Sequence, residues 1–185
     1  MQPAYAVDLA AELADRDKRA KIVSHCVNDE KVIFTCKIKA KTVSVCAVFD
    51  NEKKLTKLKY KYGLRHHIEM QIIKTAHSSF DDVTFANVPT ASSIAYVFRI
   101  KNIPYDYYLY STSVRGQDDP KTGASTRENR DGLAVKKGSV IIFNKLCSTT
   151  AFDHNLTINS LVAAVKPLEI TDESNPYELA YPSTP

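Results

Sequence analysis

The chain is poor in glycine, with five residues in 185, and this excludes collagen-like and Gly-rich low-complexity architectures. Glycine loops that cradle phosphate are missing too. Neither G-x-x-x-x-G-K-[ST] nor G-x-G-x-x-G occurs, which removes the commonest nucleotide-binding signatures. The nucleophile elbow G-x-S-x-G and the zinc motif H-E-x-x-H are equally absent, so no standard hydrolase or metalloprotease signature is present. No apolar run approaches the ~18 residues that a membrane-spanning helix needs. Met1-Gln2-Pro3-Ala4-Tyr5 leads into an acidic, Ala-rich stretch rather than an apolar one, and is not read as a secretory signal.

Cysteine is also sparse. Cys26, Cys36 and Cys46 lie ten apart and Cys147 stands alone, which fits no zinc spacing. The resulting expectation is reduced thiols in an intracellular setting, or a virion, with Cys36 serving as a small buried hydrophobe. No metal, cofactor or small-molecule substrate is expected.

What remains is ordinary globular material: 44% hydrophobic and 25% charged residues. This length suits about one domain. The sequence divides into a β-rich domain over residues 1–168 and an acidic, Pro-containing tail over 169–185, expected to be extended.

Residues 6–27 are Ala-rich with long charged side chains, acids early and bases late, and predict a helix. From residue 31 the period changes to two. Val32, Phe34, Cys36 and Ile38 alternate with polar residues over 31–40, and Val43, Val45, Ala47 and Phe49 do the same over 42–49. Further alternation predicts strands over 57–62, 93–101, 107–114, 139–146 and 156–165, while 67–76 reads as strand or helix with strand favoured. Residues 77–92, with Asp81-Asp82 and Pro89, read as turn. Residues 115–138, with four glycines and many charges, read as a long mobile loop. Seven or eight short strands without regular helix alternation predict an antiparallel sandwich or barrel with one N-terminal helix, and α+β as the alternative.

Charge is unevenly spread. Residues 1–30 carry four basic and six acidic side chains, and residues 166–185 one basic and four acidic. The basic excess therefore lies in the middle. It concentrates on the non-apolar phase of the strands: Lys37 and Lys39, then Lys57, Lys59 and Lys61 with Arg65 close behind, then Arg99 and Lys101. Arg127 and Arg130 would extend this surface from the loop. If these segments share a sheet, one face is apolar and the other is a field of cations suited to nucleic acid, RNA included, or another polyanion. The competing explanation is a solvated face that guards strand edges. Tyr105, Tyr107, Tyr108 and Tyr110 fall within six residues. They suggest either a partner contact or a strand buried on both faces.

Three function classes follow. The first is a non-enzymatic polyanion-binding protein. The second is a self-associating structural subunit of capsid or matrix type. The third is an enzyme built from scattered groups such as His77, Asp153, His154 or Cys147, and it has no motif behind it.

Overall fold

The computed structural model of the chain describes residues 24–76, 80–123, 125–152, 163–171 and 174–181. Eleven strands run in chain order: β1 Lys31–Ile38, β2 Lys41–Phe49, β3 Leu55–Leu64, β4 His67–Thr75, β5 Val83–Pro89, β6 Ile94–Asn102, β7 Tyr105–Asp118, β8 Ser125–Lys137, β9 Val140–Leu146, β10 Thr149–Phe152 and β11 Lys166–Pro167. A short helix, α1, covers Pro176–Ala180. The strands form two open sheets, β10-β1-β2-β3-β4 and β11-β5-β6-β7-β8-β9. Of the two architectures that the alternation allowed, the sandwich is the one adopted.

The pairing within each sheet is antiparallel, apart from the two-residue β11–β5 contact. Short hairpins set the register, because a two-residue link fixes which residues face each other. Lys39-Ala40 links β1 to β2, with Lys39 in the left-handed region at φ 56°. Arg65-His66, Ile103-Pro104 and Gly138-Ser139 close three more. The alternating apolar sets of β1, β2 and β3 point to the second sheet. Phe34, Val43, Val45, Leu58 and Tyr60 pack there against Val83, Phe98, Ile100, Leu109 and Leu133, all buried.

Several expectations are corrected. The expected loop over 115–138 is largely strand, because β7 and β8 pair as far as Asp118 and Ser125. Much of that ribbon is solvated on both faces, so it carries no apolar period for sequence reading to detect. The 77–92 segment contains β5, an edge strand of the second sheet before β11 adds to it. Its proline stands at the last strand position, where the missing N–H costs least.

The tail is not simply extended. Asn175 caps α1 by accepting from the Tyr177 N–H, and Leu179 and Ala180 are buried against Val97, Tyr108, Tyr110 and Ala134 on the outer face of the second sheet. The predicted 6–27 helix falls mostly outside the described residues; its last part, 24–27, is not helical. His77, Asp153, His154 and residues 156–162 also lie outside them; the described end of the expected 156–165 strand is helical at 163–164 rather than extended.

The thiol expectation is overturned. All four cysteines are oxidised, as Cys26–Cys46 and Cys36–Cys147, with Cα separations of 5.5 and 5.3 Å. Cys36 is indeed buried, but as half of a crosslink. The spacing misled because strand pairing, rather than sequence proximity, brings the partners together. Among the described residues, no helix is long and apolar enough to cross a membrane.

Candidate binding cleft and the strap across the lysine face

An apolar cleft of about 290 Å³ is lined by residues of both sheets. Tyr60 and Tyr62 of β3 and Met70 of β4 supply one wall. Tyr105 and Tyr107 of β7, Leu133 and Val135 of β8, and Ile142 and Phe143 of β9 supply the other. None of these side chains is charged. Tyr107 donates its hydroxyl to Met70 Sδ at 3.4 Å and lies against Tyr60, ring centroids 5.1 Å apart. Burial raises the pKa of both phenols, Tyr60 strongly, so both are neutral at ordinary pH.

A β-bulge stands on each side of the mouth. In β4, Met70 pairs with Tyr62 and Ile68 with Gly63, which leaves Glu69 as the extra residue. Gly63 is required there, because a Cβ would collide with the His67 carbonyl oxygen and the backbone of Glu69. In β9, Phe143 pairs with Val135 and Ile141 with Lys136, which leaves Ile142 as the extra residue. A bulge breaks strict alternation, and here the neighbours Ile142 and Phe143 both line the cleft. Lys41 and Glu69 form an ion pair at 2.5 Å, and the Lys41 ammonium lies 5.2 Å from the centroid of the Tyr62 ring. The Glu69 hydrogen bond holds the Lys41 pKa above its ordinary value.

The opposite face of the first sheet is the one expected to carry cations. A strap over residues 24–30 crosses it, tied to β2 by Cys26–Cys46. The His25 N–H donates to Ser44 Oγ at 2.9 Å. Lys61 Nζ donates to the His25 carbonyl at 3.0 Å. The fully buried Glu30 carboxylate takes Lys59 on Oε1 at 2.6 Å and Lys61 on Oε2 at 2.7 Å. Burial pushes the Glu30 pKa up, but the hydrogen bonds from Lys59 and Lys61 outweigh it, and the net shift is downward.

The ten predicted cationic residues therefore do not form one plane. Lys59 and Lys61 are neutralised under the strap, and Lys57 is half-buried on the same strand. Lys37 is exposed. Lys39 and Arg65 are exposed in neighbouring turns at one end of the first sheet, where Lys41 pairs with Leu64. Arg99, Lys101, Arg127 and Arg130 belong to the second sheet, across the core. Arg99 binds Asp106 at 2.8 Å and lies over the Tyr108 ring. Lys101 is exposed. Arg127 reaches Ser113 Oγ at 3.4 Å. Arg130 binds Glu128 at 2.7 Å, donates to the Ala180 carbonyl and lies 3.9 Å from the Tyr181 centroid.

The tyrosine run is covered on both faces. Tyr107 is buried toward the sandwich core, with Tyr105 half-buried beside it, while Tyr108 and Tyr110 are buried toward α1. Tyr110 lies over Gly132, its cross-strand partner, and donates to Asn144 Oδ1 at 2.9 Å. Tyr108 and Tyr110 are packing beneath α1, whereas Tyr105 and Tyr107 also line the cleft. Among the described residues, the one grouping with metal-ligand chemistry is Cys26, Glu30 and Cys46. Its two sulfurs are bonded to each other and its carboxylate is held by lysines.

Sequence reading missed the cleft. A bulge leaves no composition signal, so nothing in the alternation marked where the two sheets leave space between them. No protein-family description, curated protein or solved structure matches the chain.

Proposed function

We propose that the chain is a non-enzymatic binding protein whose intersheet cleft takes a small, uncharged, largely apolar molecule carrying an aromatic ring. The cleft itself carries this reading: uncharged walls rich in tyrosine and phenylalanine, reached between two bulged strands. Ligand pockets typically measure ~300–1,000 Å³, with mostly apolar walls and a few polar groups, and this cleft sits at the small end. A charged ligand would lose hydration with no countercharge in the lining. Aromatic rings gain from edge and offset contacts with the tyrosines. Four oxidised cysteines support work in an oxidising compartment, where such bonds persist.

The chain has ten tyrosines and no tryptophan, so tyrosine fluorescence reports on the cleft without a label. Titration with 1-naphthol should change it saturably. The fully ionised naphthalene-1-sulfonate should bind more weakly. Ile142→Asp, at an exposed rim position, should abolish the response while the far-ultraviolet circular dichroism stays unchanged. Absence of saturable binding up to the solubility limit of 1-naphthol rejects the proposal.

A second reading, polyanion binding, keeps one supporting observation: Lys39 and Arg65 are exposed in neighbouring turns. It predicts heparin or single-stranded DNA affinity that falls steeply with salt and is lost in Lys39→Ala/Arg65→Ala. Binding that is insensitive to those two changes rejects it.

A further inference from the structure

Each sheet has two edges, and the chain treats them differently. It covers β1 with β10 and β5 with β11. Past β11, the Leu168 N–H donates to the Phe85 carbonyl at 2.8 Å and the Tyr177 hydroxyl to the Val88 carbonyl at 2.9 Å. Among the described residues, the short β10 and β11 end the sheets on those sides, and the longer β4 and β9 end them on the others. The β4 edge is guarded. Its bulge carries Glu69, paired with Lys41, and Lys74 near its end binds Asp82 at 2.7 Å. Charges and bulges of this kind are how edges avoid pairing with other chains.

The β9 edge has a bulge but almost no charge. Val140, Ile141, Ile142 and Leu146 are 61, 46, 54 and 47% exposed, and Lys145 is the only ionisable residue of the strand. Of the nine exposed large hydrophobics among the described residues, seven lie on β3, β4 or β9, the strands around the cleft mouth. A concentration of this kind marks an interaction surface.

We propose that β9 pairs antiparallel with β9 of a second copy about a two-fold axis. The pairing joins the two six-stranded sheets and sets the partner's strand beside the cleft mouth. The strand's own sequence admits this occupant, because Lys145 is its only ionisable residue. With the axis at Phe143, Lys145 faces Ile141 and Leu146 faces Val140. With the axis at Asn144, Lys145 faces Phe143 and Leu146 faces Ile142. Neither register opposes like charges, and both cover apolar side chains. A same-patch contact closes after two copies, so the expected product is a dimer rather than a filament.

Sedimentation of the oxidised chain from low micromolar to submillimolar concentration should show a monomer–dimer equilibrium. Ile141→Lys, outside the cleft lining, should raise the dimer dissociation constant at least about tenfold. The equivalent change at the other edge, Ile68→Lys, should leave it unaltered. Hydrogen exchange provides a readout that needs no variant: amides of β9 should slow with rising concentration, while those of β4 should not. A monomer throughout, or a dimer lost in Ile68→Lys and retained in Ile141→Lys, overturns the proposal. The 1-naphthol response of monomeric Ile141→Lys is read separately, so failure of pairing and failure of the cleft reading are distinguishable.

Discussion

The Glu30 carboxylate and the Lys61 ammonium lie 2.7 Å apart under the strap, and both side chains are almost fully withdrawn from water. Removing one partner of such a pair strands the other charge, which typically costs ~3–5 kcal/mol. Lys59 remains at 2.6 Å from the same carboxylate, so the three groups act together. Glu30→Gln should therefore lower the thermal midpoint markedly. A midpoint within a degree or two of the parent would show that the strap is dispensable for stability.

The same carboxylate sets a pH response. Its pKa in the folded chain lies below the ordinary 4.5, so its stabilisation is complete above that value and is lost as pH falls toward the folded pKa. Chemical denaturation from neutral pH into the acid range should show stability declining below about pH 4.5. The decline should be shallower in Glu30→Gln. Parallel curves for the two proteins would contradict the assignment.

The crosslinks differ in the length of chain they close, 20 residues for Cys26–Cys46 and 111 for Cys36–Cys147. On chain-entropy grounds they contribute about 3 and about 5 kcal/mol. Cys36→Ser/Cys147→Ser should be the more damaging pair in urea unfolding. The reverse order would mean that strain or residual structure in the unfolded chain dominates.

Phenol ionisation tests the packing of the tyrosine run. Burial raises the pKa of Tyr60, Tyr107 and Tyr110. Their neutral forms favour the fold, and that contribution is lost as pH rises past the ordinary value near 10. An alkaline absorbance titration should therefore show some phenols ionising early and others only as the chain unfolds. Ten tyrosines titrating as one class would contradict the buried placement.

Gly63 gives the last test. A methyl group there meets backbone on β4 rather than a yielding side chain. Gly63→Ala should destabilise by about 1–3 kcal/mol and weaken 1-naphthol binding, because the bulge that places Glu69 would shift. Unchanged stability and binding would separate the bulge from the cleft.

The strands over 31–38, 41–49 and 94–102 were legible as strands from their apolar alternation, although a bulge between Val32 and Phe34 breaks the Val32-to-Ile38 phase and Thr35, Ser44, Ala95 and Val97 on the other phase are buried too. The Arg127 end of β8 was not, since a ribbon wet on both faces has no contrast to read. The lysine phase of β3 was identified correctly as the face away from the core. Its environment was not, because an acid 29 residues earlier than Lys59 must be folded across the sheet before it can neutralise that lysine. The cleft depends on two single-residue insertions in pairing, and local composition says nothing about either.

The Cys36–Cys147 bond has a practical corollary. The exposed turn around Lys121 lies inside the covalent ring that this bond closes. A protease cutting there leaves both fragments attached, so nicked material runs as one band on a gel until a reductant separates it.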